Sequence, residues 1–146
     1  MSAIDETIAV SPTLSANARR FLAAPRFAVV ATLNPDGGPL GAVIWYLLAG
    51  ETIVFNSRVG RQWPTNIGRD RRVSVTVADG YDYVEMHGEV EIDEDPVRGQ
   101  AVIAALARRY QKDGAAAAAQ IEAFAKERRV TFELRPRCIF ERLSGG

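Results

Sequence analysis

Alternating hydrophobic and polar positions recur along the chain and predict a series of short β-strands. In residues 81–92, YDYVEMHGEVEI, Val84, Met86 and Val90 share one face, while polar residues occupy the other. Comparable segments cover residues 26–33, 38–48, 52–57, 71–79, 129–136 and 137–143. The pattern therefore predicts about seven strands.

Turn signals and helical periodicity indicate how these strands are connected. The sequence NPDGG at residues 34–38 predicts a hairpin turn. Helices are predicted at residues 11–25, 60–70, 95–111 and 114–129. Asp95 followed by Pro96 is typical of a helix start. Hairpin-linked strands with inserted helices predict a mainly β fold, with an antiparallel sheet closed or nearly closed into a barrel; a sandwich fits the same spacing.

Length and composition are those of a soluble globular domain. The chain has 146 residues, of which 47% are hydrophobic and 25% charged. We expect a loose N-terminal tail over residues 1–11 and a single domain over residues 12–146. The N-terminal residues lack the basic region of a secretory leader, and no run approaches the roughly 20 apolar residues of a membrane span. A cytoplasmic protein without membrane contact is expected.

Arginine is concentrated in one part of a chain that is otherwise balanced in charge. Lys+Arg and Asp+Glu number 18 each, which argues against a nucleic-acid partner. Five arginines nevertheless lie close together, opposed only by Asp70: Arg58, Arg61, Arg69, Arg71 and Arg72. The guanidinium fork suits phosphate or carboxylate, and the acidic stretch at residues 79–95 favours a small anion over a long polyanion. A solvated surface cluster without a ligand is the alternative.

The sequence lacks the residues that most self-sufficient active sites need. With one histidine and one cysteine, it has no two-histidine zinc site and no CxxC pair, so no metal is predicted. His87 lies between Glu85 and Glu89 in a predicted strand, where a structural or surface role is favoured over catalysis. Cys138 is expected to be a small buried hydrophobe. If the protein is an enzyme, its side chains alone do not obviously carry the reaction, and a bound cofactor could carry it.

Four segments, in this order, resemble the split β-barrel family of pyridoxamine 5'-phosphate oxidase, which binds flavins and deazaflavins. They are FLAAPRFAVVATLNPDGGP, GAVIWYLLAGETIVFNS, GRQWPTNIGRDRRVSVTV and YDYVEMHGEVEI. The third is typical of the branch that uses coenzyme F-420, an 8-hydroxy-5-deazaflavin. The resemblance runs from Phe21 to about Leu143. It implies an antiparallel split β-barrel of the FMN-binding type, forming a homodimer with two cofactor sites at the subunit interface.

The resemblance also implies which residues bind the cofactor. Ser57, Arg58 and Arg61 would hold its phosphate, and Asn66 would fix the turn or bond the ligand. The ring system would lie along the second strand. The full implied set is Val43, Ile44, Trp45, Asn56, Ser57, Arg58, Arg61, Gln62, Trp63 and Asn66. Surplus arginines such as Arg69 would meet the acidic tail of F-420 or simply face solvent.

Trp63 departs from the family pattern, because many relatives have a lysine there. A tryptophan cannot pair with phosphate, but it could stack on the ring, pack at a dimer contact or belong to the core. The Arg-x-x-Leu-Lys phosphate motif of FMN-dependent oxidases is also absent, which disfavours FMN.

The function implied by the resemblance is an F-420-dependent oxidoreductase that transfers a hydride between the deazaflavin and an unsaturated small-molecule substrate. No catalytic side chain is assigned, and Tyr83 is the candidate proton donor. Two alternatives stay open: an FMN-dependent flavin reductase or pyridoxamine phosphate oxidase-like enzyme, and a non-catalytic carrier of flavin, haem or lipid.

Overall fold

The computed structural model describes residues 8–9 and 13–144, which contain nine strands and four helices. The strands are β1 (Ile8–Ala9), β2 (Ala28–Leu33), β3 (Pro39–Ile44), β4 (Leu47–Ala49), β5 (Thr52–Arg58), β6 (Arg72–Asp79), β7 (Asp82–Asp93), β8 (Arg129–Leu134) and β9 (Cys138–Arg142). The helices are α1 (Ala16–Ala23), α2 (Gln62–Arg69), α3 (Pro96–Tyr110) and α4 (Gly114–Phe124). Apart from β1, the predicted N-terminal tail lies outside the described residues.

The strands form one antiparallel sheet that curls into a half-barrel. Its order is β3-β2-β6-β7-β8-β5-β4, with β9 pairing both β1 and β7. The predicted mainly β fold with inserted helices, an antiparallel split barrel, is confirmed. Predicted strand faces also agree, since Val84, Met86 and Val90 of β7 are all buried.

Strand β7 joins the two halves of the sheet. Its first half, Tyr83 to His87, pairs with β9, and its last residues, Val90 to Asp93, pair with β8. Gly88 lies at the change of partner, where an added Cβ would approach Leu134 Cδ1 to 3.0 Å and the Arg135 carbonyl oxygen to 3.2 Å. A glycine at this position lets the chain between β8 and β9 pass close to β7.

The single strand predicted for residues 38–48 is instead two strands, and this prediction was wrong in that respect. β3 pairs with β2, β4 pairs with β5, and Trp45 and Tyr46 lie between them. Side chains of α3 replace the missing strand partners at Tyr46. Its carbonyl oxygen accepts from Arg109 Nε at 3.0 Å, and its amide donates to Tyr110 Oη at 3.2 Å. The chain can therefore leave one half of the sheet and enter the other with both backbone groups of Tyr46 paired.

The last two helices, α3 and α4, differ in how firmly they are packed. Helix α3 starts as predicted, with the Asp95 carboxylate accepting from the Val97 amide at 3.0 Å. Helix α4 ends at Phe124 rather than at residue 129. The Gln100 side chain donates to the carbonyl of Phe124 at this helix end and to that of Glu127 in the turn that follows. Only Ala117 of α4 is buried. None of the described helices is long and apolar enough to cross a membrane.

Tyr46 anchors α1 to the barrel from inside the core. Its side chain is 0% exposed, and its hydroxyl donates to the carbonyls of Leu22 at 2.9 Å and Ala24 at 3.2 Å. Burial, followed by the nearby Tyr110 hydroxyl, raises the pKa of Tyr46 to about 12. The hydroxyl is thus held in its neutral, donating form.

Replacing Tyr46 by Phe should lower the unfolding free energy at neutral pH by about 1 kcal/mol, because two buried carbonyls lose a donor but keep Arg109. The wild-type advantage should shrink as pH rises from about 10, where unfolded tyrosine ionises, to about 12, where the folded Tyr46 does. Urea unfolding of both proteins across this range measures the difference. Tyr81→Phe, at a side chain 89% exposed, is the matched control and should show neither effect.

Candidate functional site

A cavity of about 270 Å³, called here the cavity at the split, lies beside Trp45, where the chain passes from β3 to β4. The strands, the start of α2 and helices α3 and α4 all contribute to its walls. It is lined by Phe27, Val43, Ile44, Trp45, Asn56, Arg61, Trp63, Ile103, Leu106, Gln120, Phe124 and Arg129. The structure thus brings together six of the ten predicted cofactor residues: Val43, Ile44, Trp45, Asn56, Arg61 and Trp63.

The mouth of the cavity is apolar and aromatic. Trp45 stacks on Tyr110 with ring centroids 5.2 Å apart and planes 7° apart. Phe27 stacks on the same tyrosine at 5.8 Å. Phe27 and Val43 are nevertheless 61% and 71% exposed, so the described residues leave much of this wall uncovered. A flat, conjugated molecule would find both contact area and stacking partners here.

Trp63 belongs to the core and also lines the cavity. It is 7% exposed, and its ring packs against Phe55 at 5.9 Å and Phe132 at 5.5 Å. Of the roles considered for Trp63, core packing therefore accounts for most of its contacts. One part of the side chain also reaches the cavity.

Asn56 holds a buried arginine at the cavity wall. Its Oδ1 accepts from Arg129 Nε at 2.8 Å, and its Nδ2 donates to Gly99 O at 3.1 Å and Thr131 Oγ1 at 3.3 Å. Both polar atoms of the amide are thus engaged within the protein. Asn56 therefore serves to position Arg129, although it also lines the cavity.

Positive charge accumulates beside this arginine. Burial lowers the pKa of Arg129, the Glu127 carboxylate opposes that shift, and the charges of Arg61 and Arg58 lower it further. An arginine stays protonated even so. Three guanidinium groups close enough to interact, with one paired carboxylate, create a positive potential at this end of the cavity.

The beginning of α2 adds to the same potential. Arg61 is the N-cap residue, and it makes no side-chain capping hydrogen bond. The first backbone amides of a helix have no partner within it, and the helix dipole places partial positive charge there. With Arg61 at the cavity wall, this end of α2 suits an anionic group.

Four predicted residues do not line this cavity. Ser57 is 0% exposed and its hydroxyl donates to the Arg58 carbonyl at 3.1 Å, while Arg58 itself is exposed. Gln62 donates to Asn66 Oδ1 at 2.9 Å. Asn66 is 0% exposed and donates to Thr32 Oγ1 and to Asn34 Oδ1, which fixes α2 against the turn after β2.

The arginines between residues 58 and 72 lie in several different environments. Arg69 donates to the Leu33 carbonyl and to Asn66. Arg72 pairs with Asp70 at 2.7 Å, and its hydrogen bonds lower the pKa of that carboxyl to about 2. Arg71 lines a separate cavity of about 380 Å³. These arginines do not form one anion-binding patch with Arg61.

The other candidate side chains lie on the outer face of the sheet. His87 Nε2 is 2.6 Å from Glu85 Oε2, and Glu85 Oε1 accepts from Thr76 at 3.1 Å. Neither His87 nor Tyr83 lines the cavity at the split. Within residues 8–9 and 13–144, no three metal-ligating side chains are grouped together.

Sequence reasoning missed half of the cavity wall. The missed residues are Phe27, Ile103, Leu106, Gln120, Phe124 and Arg129. Five of them lie in or beyond α3, distant in sequence from the segments that carried the prediction. Arg129 is 73 positions from Asn56, and the only signal was a basic residue opening a hydrophobic strand.

Comparison with known proteins supports one family over nearly the whole chain. The family model described as pyridoxamine 5'-phosphate oxidase matches residues 14–141. A solved structure named as an F-420 reductase is 28% identical, with a TM-score of 0.66, over 83% of this chain and 94% of that chain. No curated protein matches the sequence.

Two further structures share the fold. A conserved hypothetical protein from Mycobacterium tuberculosis is 24% identical, with a TM-score of 0.73, over 94% of this chain and 95% of that chain. General stress protein 26 from Bacillus anthracis is 16% identical, with a TM-score of 0.62, over 86% and 90% of the two chains.

The two tryptophans of the chain should report separately on the cavity. Trp45 is half-buried and Trp63 is 7% exposed, so acrylamide should quench Trp45 in the Trp63→Phe variant more strongly than Trp63 in the Trp45→Phe variant. Stern–Volmer plots of the two variants measure this order. Equal quenching constants would contradict the described packing of Trp63 between Phe55 and Phe132.

Proposed function

The chain belongs to the pyridoxamine 5'-phosphate oxidase family, and on that premise we propose that it is an oxidoreductase that transfers a hydride between coenzyme F-420 and an unsaturated small molecule. The observation that carries the proposal is the cavity at the split. Its wall combines Arg61, at the uncapped start of α2, with the flat ring of Trp45, which stacks on Tyr110. A phosphate-bearing cofactor with a planar ring system has the same two parts.

The cavity residues fit a cofactor of this kind, because they offer hydrogen-bond donors to its phosphate. Arg61 and the first amides of α2 would hold the phosphate, with Arg58 contributing charge from the rim. The backbone and side chains of Val43, Ile44 and Trp45 would lie along the ring system. Ser57, Gln62 and Asn66 would support this arrangement from behind, since their described contacts are within the protein.

The choice of F-420 over FMN is supported by two observations. The 28% identical structure is named as an F-420 reductase. Trp63 also replaces the cationic side chain that an FMN phosphate motif would require, and its packing in the core leaves it unable to pair with phosphate.

We also propose that a second copy of the chain completes the site. A cavity that encloses a drug-sized ligand usually measures about 300–1,000 Å³, and the described residues enclose about 270 Å³. Phe27 and Val43 are large apolar side chains at the cavity mouth, and both are mostly exposed. A homodimer would cover them and enlarge the enclosed volume.

When bound, the deazaflavin supplies hydride chemistry at its carbon 5. The contribution of the protein is to orient that carbon beside the substrate and to exclude water. In the described part of the chain, the cavity wall has no carboxylate, histidine or tyrosine to give a proton. Tyr83 would therefore act only on a site formed with a second copy, and solvent is the other proton source.

Titration of the purified protein with F-420, followed by cofactor fluorescence, tests the proposal. Arg61→Ala should weaken binding about tenfold or more, because a hydrogen bond to a charged group contributes about 1.5–3 kcal/mol. Arg58→Ala, at the rim, should weaken it less. Arg20→Ala, an exposed arginine on α1, is the control and should leave affinity unchanged.

The same titration with FMN distinguishes the alternatives. Saturable binding of FMN but not of F-420 would move the protein to a flavin reductase or pyridoxamine phosphate oxidase-like activity. Tight binding of either cofactor without turnover of any acceptor would favour a carrier. Failure of both cofactors to bind would reject the proposed function.

A further inference from the structure

Arg129 is a buried cation whose location is not explained by the packing of the barrel alone. It is 5% exposed, yet it lines the cavity at the split. Its guanidinium carbon lies 4.8 Å from the centroid of the Phe124 ring. Burying a charge is costly unless it is paired and hydrogen-bonded, so each of its contacts is informative.

Two of the three guanidinium nitrogens are occupied within the protein. Nε donates to Asn56 Oδ1 at 2.8 Å, and Nη1 donates to Glu127 Oε1 at 2.7 Å. Nη2 has no acceptor among the described residues. No fully buried polar side-chain atom among the described residues lacks a partner, so Nη2 keeps some accessible surface, and Arg129 is a residue of the cavity wall.

The charges around Arg129 are also incompletely balanced. Arg58 and Arg61 act on it as like charges, and Glu127 is the one carboxylate paired with it. These three arginines and one glutamate leave two positive charges at this end of the cavity. This surplus of positive charge suits an anionic ligand such as a phosphate group.

We propose that Arg129 is an anion-binding residue of the cavity, donating from Nη2 to a phosphate group, with Asn56 as its positioning residue and Glu127 as its resident counter-ion. The inference deepens the proposed function and rests on it for the identity of the cofactor. Glu127 would compete with the ligand phosphate for the same guanidinium group, so it sets the affinity from within the protein.

Three variants, each with a charged residue replaced by glutamine, test this role. Each is titrated with inorganic phosphate at constant ionic strength, and binding is followed by tryptophan fluorescence. Arg129→Gln should weaken phosphate binding at least tenfold. Glu127→Gln should strengthen it severalfold, because Arg129 loses its competing carboxylate. Arg128→Gln removes the same charge from the adjacent exposed arginine and should have little effect.

Opposite changes in phosphate affinity in Arg129→Gln and Glu127→Gln would distinguish a binding role from structural damage. If Arg129→Gln does not fold, Glu127→Gln carries the test alone, since a purely structural role for the pair predicts no gain in affinity. Unchanged phosphate binding in Arg129→Gln, or weaker binding in Glu127→Gln, would overturn the proposal.

A second titration separates this inference from the proposed function. Arg129→Gln should weaken binding of F-420 but not of 8-hydroxy-5-deazariboflavin, which has the same ring system without the phosphate. Equal weakening of both ligands rejects the role of Arg129 and leaves the proposed function standing. Phosphate binding that depends on Arg129, in a protein that binds neither F-420 nor FMN, rejects the proposed function and retains the anion site.

Discussion

The hydrogen bonds that Arg109 makes are the contacts on which the shape of the molecule most depends. This one side chain of α3 donates to the carbonyls of Leu22, Ala23 and Ala24 at the end of α1, and to that of Tyr46 between β3 and β4. It thereby ties the end of α1 to the point where the chain passes from one half of the sheet to the other. Trp45, the neighbour of Tyr46 at this crossing, lines the cavity, so the same contacts position part of the cavity wall.

The cavity combines two kinds of surface that are stabilised in different ways. The aromatic mouth is stabilised by packing alone. Tyr110 stacks on Trp45 there, and the Tyr110 hydroxyl donates to the carbonyl of Tyr46. The positive end requires a buried cation, and the hydrogen bonds that Arg129 donates to Asn56 Oδ1 and Glu127 Oε1 make its burial tolerable. Apolar residues of similar volume in place of both Arg129 and Glu127 would typically give an equally stable or more stable fold. A charge at this location is therefore better explained by binding than by stability.

The sequence predicts those features that depend on local pattern. Alternation identifies the strands, and the inward face of β7 is correct because Val84, Met86 and Val90 leave only one register that buries them. The break at Tyr46 is not visible, since residues 38–48 read as one apolar strand and the interruption comes from side chains of α3. Arg129 was missed for the same reason: its role depends on Asn56, which only the folded chain brings near. By contrast, Val43, Ile44, Trp45 and Arg61 lie in the short segments that carry the family resemblance, and all four line the cavity.

The two long walls of the cavity differ in their resistance to local opening. Strands β3 and β5 are held by ladders of backbone hydrogen bonds and by the core, whereas α4 buries only Ala117 and is fastened mainly by amide side chains, including Gln111 to Gln120 at 2.9 Å. Segments with few buried contacts open at a small fraction of the global unfolding free energy. The rigid strands would thus govern how tightly a ligand is held, and fluctuations of α4 would govern how quickly it enters and leaves.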